Sequence, residues 1–327
     1  MGILKQTSFD VPVIVVGNLS AGGTGKSPLV QYLASSFSKT FKVAILSRGY
    51  GRISKGYVGV EVGKSALQTG DEPLQYAHML PGVNVAVCEK RVPGIEQLLK
   101  LIPRPEIILL DDAFQHRYVK PTYSIILTDY QYPYFSDSLL PAGRLRETKS
   151  SAARANAVVV SKCPENLSAK ECREFAEKLS LNSNQSLFFS YIHYCELLFN
   201  PNGSPVSLKE IEGSGIFLLC GIANPAPLVQ YISGIAAATE QLIFPDHHQF
   251  TVADIVRLKS RFNQFEKLCK TTSFLLTTRK DYMRLLNEEF RHHLSGLPLL
   301  VIDIEPRFLP YGEGTLFEHI SNFLRKN

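Results

Sequence analysis

Apolar positions along this chain come in short unbroken runs rather than in alternation. VPVIVVGN (11–18), KVAILSR (42–48), NVAVCEK (84–90), EIILLDD (106–112), YSIILTD (123–129) and AVVVSK (157–162) are rich in Val, Ile and Leu. Such runs predict strands covered on both faces, as in a parallel sheet. Leu29, Leu33 and Phe37 recur at helical spacing after the first run, which predicts a strand–loop–helix unit. Strands alternating with helices in this way predict an α/β, doubly wound, mainly parallel sheet.

The pattern changes near residue 187. LFFSYIHYCELLFNPNGSPVSL (187–208) holds two strand-like runs around Asn-Pro-Asn-Gly-Ser-Pro, a turn signal that predicts a β-hairpin. GIFLLCGIANP (215–225), EQLIFPDHHQF (240–250), SFLLTTRKD (273–281) and LPLLVIDIE (297–305) then predict further strands ending in polar loops, and GTLFEHISNFLRKN predicts an amphipathic helix. The expected organisation is a first α/β domain over 1–186, a β-hairpin linker over 187–212, and a smaller α/β domain with the C-terminal helix over 213–327.

Composition narrows the function. A chain of 327 residues with a net charge of +5 and no basic block suits an anionic ligand or a membrane surface and argues against nucleic acid. The six cysteines are scattered without a C-x-x-C pair, so neither a zinc site nor a redox pair is expected. No apolar run is long enough to cross a bilayer.

GNLSAGGTGKSP (17–28) carries the clearest chemistry. Its end matches G-x-x-x-x-G-K-[ST], a phosphate-binding loop, except that Ser20 stands where the first glycine belongs. The loop follows a strand and opens a helix, which is the required context. Ser20, Ala21, Gly22, Gly23, Thr24, Gly25, Lys26 and Ser27 are therefore the expected nucleotide-binding residues. Glycines let backbone N–H groups approach phosphate oxygens, Lys26 reaches the terminal phosphates and Ser27 ligates Mg²⁺. In IILLDDAFQH (107–116), an apolar strand ends in Asp111 and Asp112, either of which can hold Mg²⁺ directly or through water.

Other stretches admit two readings each. In TGDEP, Asp71 and Glu72 precede Pro73, so Asp71 is either a helix cap or a base that accepts a hydroxyl proton. Arg48 and Arg52 in LSRGYGR, and Arg144 and Arg146 in LLPAGRLRE, are candidate phosphate ligands or ordinary surface arginines. In FPDHHQF, His247 and His248 point different ways, so a shared metal site from that pair is not expected, whereas one of them can orient a carboxylate or assist proton transfer.

In this order, GNLSAGGTGKSP, LSRGYGR, GDEP, DDAFQH, LPAGRLRE, GIANP, FPDHHQF and TTRKD closely resemble the tetraacyldisaccharide 4'-kinase family of lipid A synthesis, over nearly the whole chain. That family's loop resembles S-x-G-G-T-G-K-[ST]-P, with Ser in the first place. The resemblance implies transfer of the γ-phosphate of ATP, with Mg²⁺, to the 4'-hydroxyl of tetraacyldisaccharide 1-phosphate at the cytoplasmic face of the inner membrane. It implies Asp71 as catalytic base paired with His247, Lys26 acting on ATP, and Glu72, Asp111 and Asp112 in the Mg²⁺ and phosphate network. Ala113 replaces the family's usual Gly, and Arg279 the usual Glu of TTEKD. MGILKQTSF is similar only to the tail of the family's membrane-meeting N-terminal helix. The rival readings are a P-loop kinase of a soluble sugar or nucleoside and a nucleotide-switched binding module. The second wants a guanine-selecting N-K-x-D, where this chain has SKCP (161–164) without the Asp.

Overall fold

The computed structural model describes residues 5–246, 248–311 and 314–326. The strands, in chain order, are β1 Val13–Asn18, β2 Val43–Ser47, β3 Val58–Val60, β4 Asn84–Val87, β5 Ile107–Asp111, β6 Tyr123–Asp129, β7 Ala157–Ser161, β8 Ser186–Tyr194, β9 Leu197–Leu198, β10 Val206–Ser207, β11 Gly215–Cys220, β12 Ala238–Ile243, β13 Ser273–Thr278, β14 Leu299–Ile302 and β15 Ile304–Phe308. The α-helices are α1 Lys26–Ser38, α2 Ala66–Thr69, α3 Asp71–Met79, α4 Arg91–Leu98, α5 Ala169–Leu179, α6 Ala226–Ile235, α7 Val252–Leu268, α8 Arg279–Leu285, α9 Glu288–Leu294 and α10 Leu316–Lys326.

Two compact units result: residues 1–193 with 305–327, and residues 194–304. In the first, nine strands run in the order β15-β8-β7-β6-β1-β5-β2-β4-β3. The strands from β8 through β4 pair in parallel, whereas β3 runs antiparallel against β4 and β15 antiparallel beside β8, where Leu309 N–H donates to the Phe189 carbonyl and Cys195 N–H to that of Asp303. Every residue of β1, β2, β5 and β7 is buried, as their unbroken apolar runs require. Helix α1 contributes Leu29, Val30, Leu33, Ala34 and Phe37 to the same core, and each of these except Ala34 stabilises by roughly 1.5–3 kcal/mol when fully buried. The chain leaves β1 through α1 and enters β2 one place beyond, with β5 filling the gap and β6 on the other side. In a doubly wound sheet ligands bind at such a reversal, outside the carboxyl ends of the strands. The loops after β1, β2, β5, β6 and β7 all open on that edge.

In the second unit, β12-β11-β13-β14 form a parallel sheet whose core includes Phe217, Leu219, Leu258, Phe262 and Leu275. Helix α7 starts with a capping box in which Thr251 and Asp254 bond reciprocally.

Three boundaries differ from the sequence expectation. The run 187–194 is not a hairpin arm, because β8 joins the large sheet beside β7. The hairpin is only β9 with β10, flanking the predicted turn. LPLLVIDIE divides at Asp303, so that β14 ends the small sheet and β15 returns to the large one beside β8. Helix α10 packs in the first unit, where the rings of Phe317 and Phe323 meet Phe37 and Tyr123 edge-on at 5.0 Å each. Periodicity shows that these segments are strands or a helix, but not which distant element each one meets.

Candidate functional site: a phosphate loop on a polar strand end

Strand β1 ends in Asn18, a fully buried polar residue closing an apolar run. Its amide donates to the Ser20 carbonyl at 2.7 Å and to Thr24 Oγ1 at 2.8 Å, so one side chain spans the base of the loop. Gly22 and Gly25 have φ of +112° and +82°, in the left-handed region, which a Cβ disfavours. Ser20 has no positive φ. It sits in an isolated antiparallel bridge to Leu145, and Ala21 N–H donates to the Arg144 carbonyl at 2.6 Å. Glycine is therefore not needed at position 20: the LPAGRLRE segment clamps the loop there in ordinary extended backbone. Among the described residues, the amides of Gly22, Gly23 and Gly25 donate to no protein acceptor, leaving a cradle of N–H groups at the start of α1. Gly17, the residue before Asn18 in β1, is required by packing, since an added Cβ would lie 2.6 Å from Phe114 Cβ.

Lys26 Nζ lies 3.3 Å from Asn18 Oδ1 and 3.7 Å from Asp112 Oδ1. Ser27 Oγ donates to Glu72 Oε1 at 2.6 Å. From the neighbouring strand end, Asp111 accepts from Ser47 Oγ at 3.1 Å and Tyr76 OH at 3.2 Å, both on Oδ2. Its Oδ1 is buried and, among the described residues, has no hydrogen-bond partner. Burial, then the charges of Glu72 and Asp112, push the Asp111 carboxyl up to about 7. Asp112 has φ +44°. Burial pushes its carboxyl up, but the Arg146 hydrogen bonds and the charges of Lys26, Arg146 and Arg91 hold it below the usual range. Ala113 has no positive φ, so the strain falls on Asp112 and alanine fits where the family has Gly.

The residues present fit a magnesium ion. The orphaned Asp111 Oδ1, the Ser27 hydroxyl and the Glu72 carboxylate are oxygen donors of the kind a hard cation takes. Among the described residues no group of three or more His, Cys, Asp and Glu forms a metal cage. Mg²⁺ at a nucleotide needs none, because waters and phosphates complete its shell.

The four arginines part company. Arg146 forks onto Asp112 at 3.0 and 2.8 Å and also donates to Asn18 Oδ1, which places it at the phosphate loop. Arg52 is committed inside its own loop, donating to Ser54 Oγ, the Gly56 carbonyl and Glu89 Oε1 with its side chain 3% exposed. It braces that loop and does not present its guanidinium outward, contrary to the phosphate-ligand expectation. Arg144 pairs with Asp137 at 3.0 Å and lies over the Tyr132 ring. Arg48 is exposed, and its charge helps to lower His116.

Asp71 is the first residue of α3, half-buried, and follows Gly70 at φ +92°. An added Cβ at Gly70 would lie 3.2 Å from Gly49 Cα, so the RGYG and TGDEP loops cross glycine on glycine. That crossing holds α3 where Glu72 reaches Ser27. His247 lies outside the described residues. His248 Nε2 bonds Asp254 Oδ2 at 3.0 Å, and its ring stacks on Phe244.

The sequence reading did not single out Asn18, Ser47, Tyr76, Arg91 or Gln115. Buried Arg91 donates to the Cys88 and Asp111 carbonyls at 2.6 and 3.2 Å, with burial drawing its pKa down to about 10. Gln115 donates to the Asn18 carbonyl at 2.9 Å. The available signal was polarity at the last position of an otherwise apolar strand, which marks Asn18, Ser47 and Asp111 alike. In TTRKD, Arg279 pairs with Asp303 at 2.6 Å and lies over Phe199, a structural role in the second unit.

Comparison with known proteins agrees with this site. The profile of the family described as tetraacyldisaccharide-1-P 4'-kinase (LpxK) matches residues 1–325. A tetraacyldisaccharide 4'-kinase of Flavobacterium johnsoniae is 44% identical over 298 residues, covering 91% of this chain and 84% of the relative. That of Phocaeicola vulgatus is 42% identical over 331 residues, covering 100% and 89%. A crystal structure of LpxK from Aquifex aeolicus, described as the "apo" form in complex with ATP, superposes with a TM-score of 0.72 at 29% identity, covering 99% of this chain and 90% of that one.

Proposed function

Because the chain belongs to the tetraacyldisaccharide-1-P 4'-kinase family, we propose that it transfers the γ-phosphate of ATP to the 4'-hydroxyl of tetraacyldisaccharide 1-phosphate in lipid A synthesis. The observation that carries the site-level reading is the cradle of Gly22, Gly23 and Gly25 amides together with the Asp111 oxygen that has no partner among the described residues. Phosphoryl transfer depends on positioning and charge neutralisation more than on covalent chemistry, and the site is built for both. The loop amides and Lys26 bind the triphosphate. Arg146, tied to Asp112, adds a fixed cation at the same strand ends. Ser27, Glu72 and Asp111 would hold Mg²⁺, which when bound neutralises phosphate charge. Asp71 takes the proton from the sugar hydroxyl, with His247 as its partner residue in the family pattern.

Among the described residues no helix is long and apolar enough to cross a membrane. A peripheral position at the cytoplasmic face of the inner membrane, where an acylated acceptor would be met, is part of the proposal.

The test is a reaction with Mg-ATP and tetraacyldisaccharide 1-phosphate in detergent, read by mass spectrometry with fragmentation of the product. Gain of one phosphate on the distal sugar is expected. Phosphorylation of an unacylated disaccharide at an equal rate would point instead to a soluble-sugar kinase.

A further inference from the structure

Strand β7 ends in Ser161, Lys162 follows it in the SKCP stretch, and nothing in the proposed chemistry uses either residue. Both reach back to the phosphate loop from a strand two places away in the sheet. Ser161, buried at 5% exposure, donates Oγ to the Thr24 carbonyl at 2.8 Å. Lys162 Nζ donates to the Gly23 carbonyl and pairs with Asp129 at 2.9 Å. Asp129 is in turn held by Gln131 and Tyr132 N–H groups at 2.9 and 3.3 Å. Lys162 takes φ +57°, an uncommon conformation for a residue with a side chain.

A loop that turns successive N–H groups inward must turn its carbonyls outward, and each outward carbonyl needs its own partner. Here the Ser20 carbonyl goes to Asn18, that of Gly23 to Lys162 and that of Thr24 to Ser161.

We propose that Ser161 and Lys162 are positioning residues for nucleotide binding: they capture the Gly23 and Thr24 carbonyls and so preorganise the amide cradle before ATP arrives. Neither touches the reacting atoms. This inference rests on the kinase reading. Without the pair, ATP binding itself must order the loop, which weakens affinity while leaving the transfer step intact once ATP is seated.

The experiment measures ADP binding by calorimetry, then separate KM values for Mg-ATP and lipid acceptor, kcat and Tm, for wild type, Lys162→Met, Lys162→Arg and Ser161→Ala. Lys162→Met is expected to raise the KM for Mg-ATP and the Kd for ADP by about tenfold, the scale of one charge-assisted hydrogen bond. kcat, the lipid KM and Tm are expected to stay close to wild type. Lys162→Arg recovers most of the loss, and Ser161→Ala gives a smaller shift of the same kind. Unchanged nucleotide affinity in Lys162→Met overturns the proposal. So does a fall in Tm with kcat and both KM values worsening together, which a general structural role produces. Failure of the wild type itself to bind ADP would instead overturn the kinase reading beneath it.

Discussion

Two strand ends in this molecule begin from the same local recipe and finish differently. β1 runs into Asn18 and a glycine loop before α1, and β11 runs into Gly221 and GIANP before α6. At the first, the loop amides of Gly22, Gly23 and Gly25 donate to no protein acceptor among the described residues. At the second, Gly221 N–H donates to Asp281 Oδ2 at 3.0 Å, and Arg284 donates to the Gly221 carbonyl at 3.1 Å and to Asp281 Oδ1 at 3.0 Å. Thr278 Oγ1 completes the set on Asp281 at 2.7 Å. The second strand end already contains its own anion, Asp281, fully buried and paired. The first presents donors and lacks one. Glycine after a strand does not therefore mark a phosphate site by itself; what decides is whether the chain supplies a carboxylate to the amides.

The contrast can be broken from either side. The largest stability change is expected for Arg284→Met, which leaves the buried Asp281 without its cation. Urea unfolding should show a loss of about 3–5 kcal/mol, with ADP affinity at the β1 loop little changed among molecules that remain folded. Lys26→Met removes one of the two cations, with Arg146, that pair with Asp112 at the open strand end. A fall in kcat on the order of 10²–10³-fold, about 2.7–4 kcal/mol of transition-state stabilisation, is expected from steady-state kinetics, with wild-type Tm. Gly17→Ala forces a methyl group against Phe114, whose Cβ lies 2.6 Å from the added atom. Overpacking of this kind costs about 1–3 kcal/mol by urea unfolding, and nucleotide affinity should fall with it because Phe114 follows Asp111 and Asp112.

The smallest effect concerns pH. Burial, then the charges of Arg91 and Arg48, lower His116 to about 4, below the unfolded value near 6.5. The unfolded chain then binds the proton first. His116 opposes folding as pH falls from about 6.5 toward 4 and has no such effect above that window. His116→Gln should lose less stability than wild type over that interval and match its slope above pH 7.

Much of this was legible in the sequence because it is local. The β1, β2, β5, β6 and β7 runs, the phosphate loop and the Asp111–Asp112 strand end each depend on neighbours a few residues away. Ser20 was readable only as an exception, because the segment that makes glycine unnecessary lies at Arg144 and Leu145. Arg52 and Arg146 look alike in sequence, and only tertiary packing turns one into a loop brace and the other into a partner of Asp112 and Asn18 beside the glycine loop. Arg279 departs from the family's Glu without disturbing the first unit, since its partner is Asp303. The assignments of β8, β15 and α10 were out of reach for the same reason: apolar spacing reports that a face is buried, not against what.

The most direct measurement follows transfer of the γ-phosphate from labelled ATP to tetraacyldisaccharide 1-phosphate by wild type and Asp71→Asn, with ADP affinity measured on the same preparations. Label at the distal 4' position is expected from wild type. Asp71→Asn should transfer it roughly 10²–10⁴-fold more slowly while binding ADP as wild type does. Undiminished transfer by Asp71→Asn, or a parallel loss of nucleotide affinity, would contradict the role of Asp71 as the base; no label on the lipid from a wild type that binds ADP would contradict the acceptor itself.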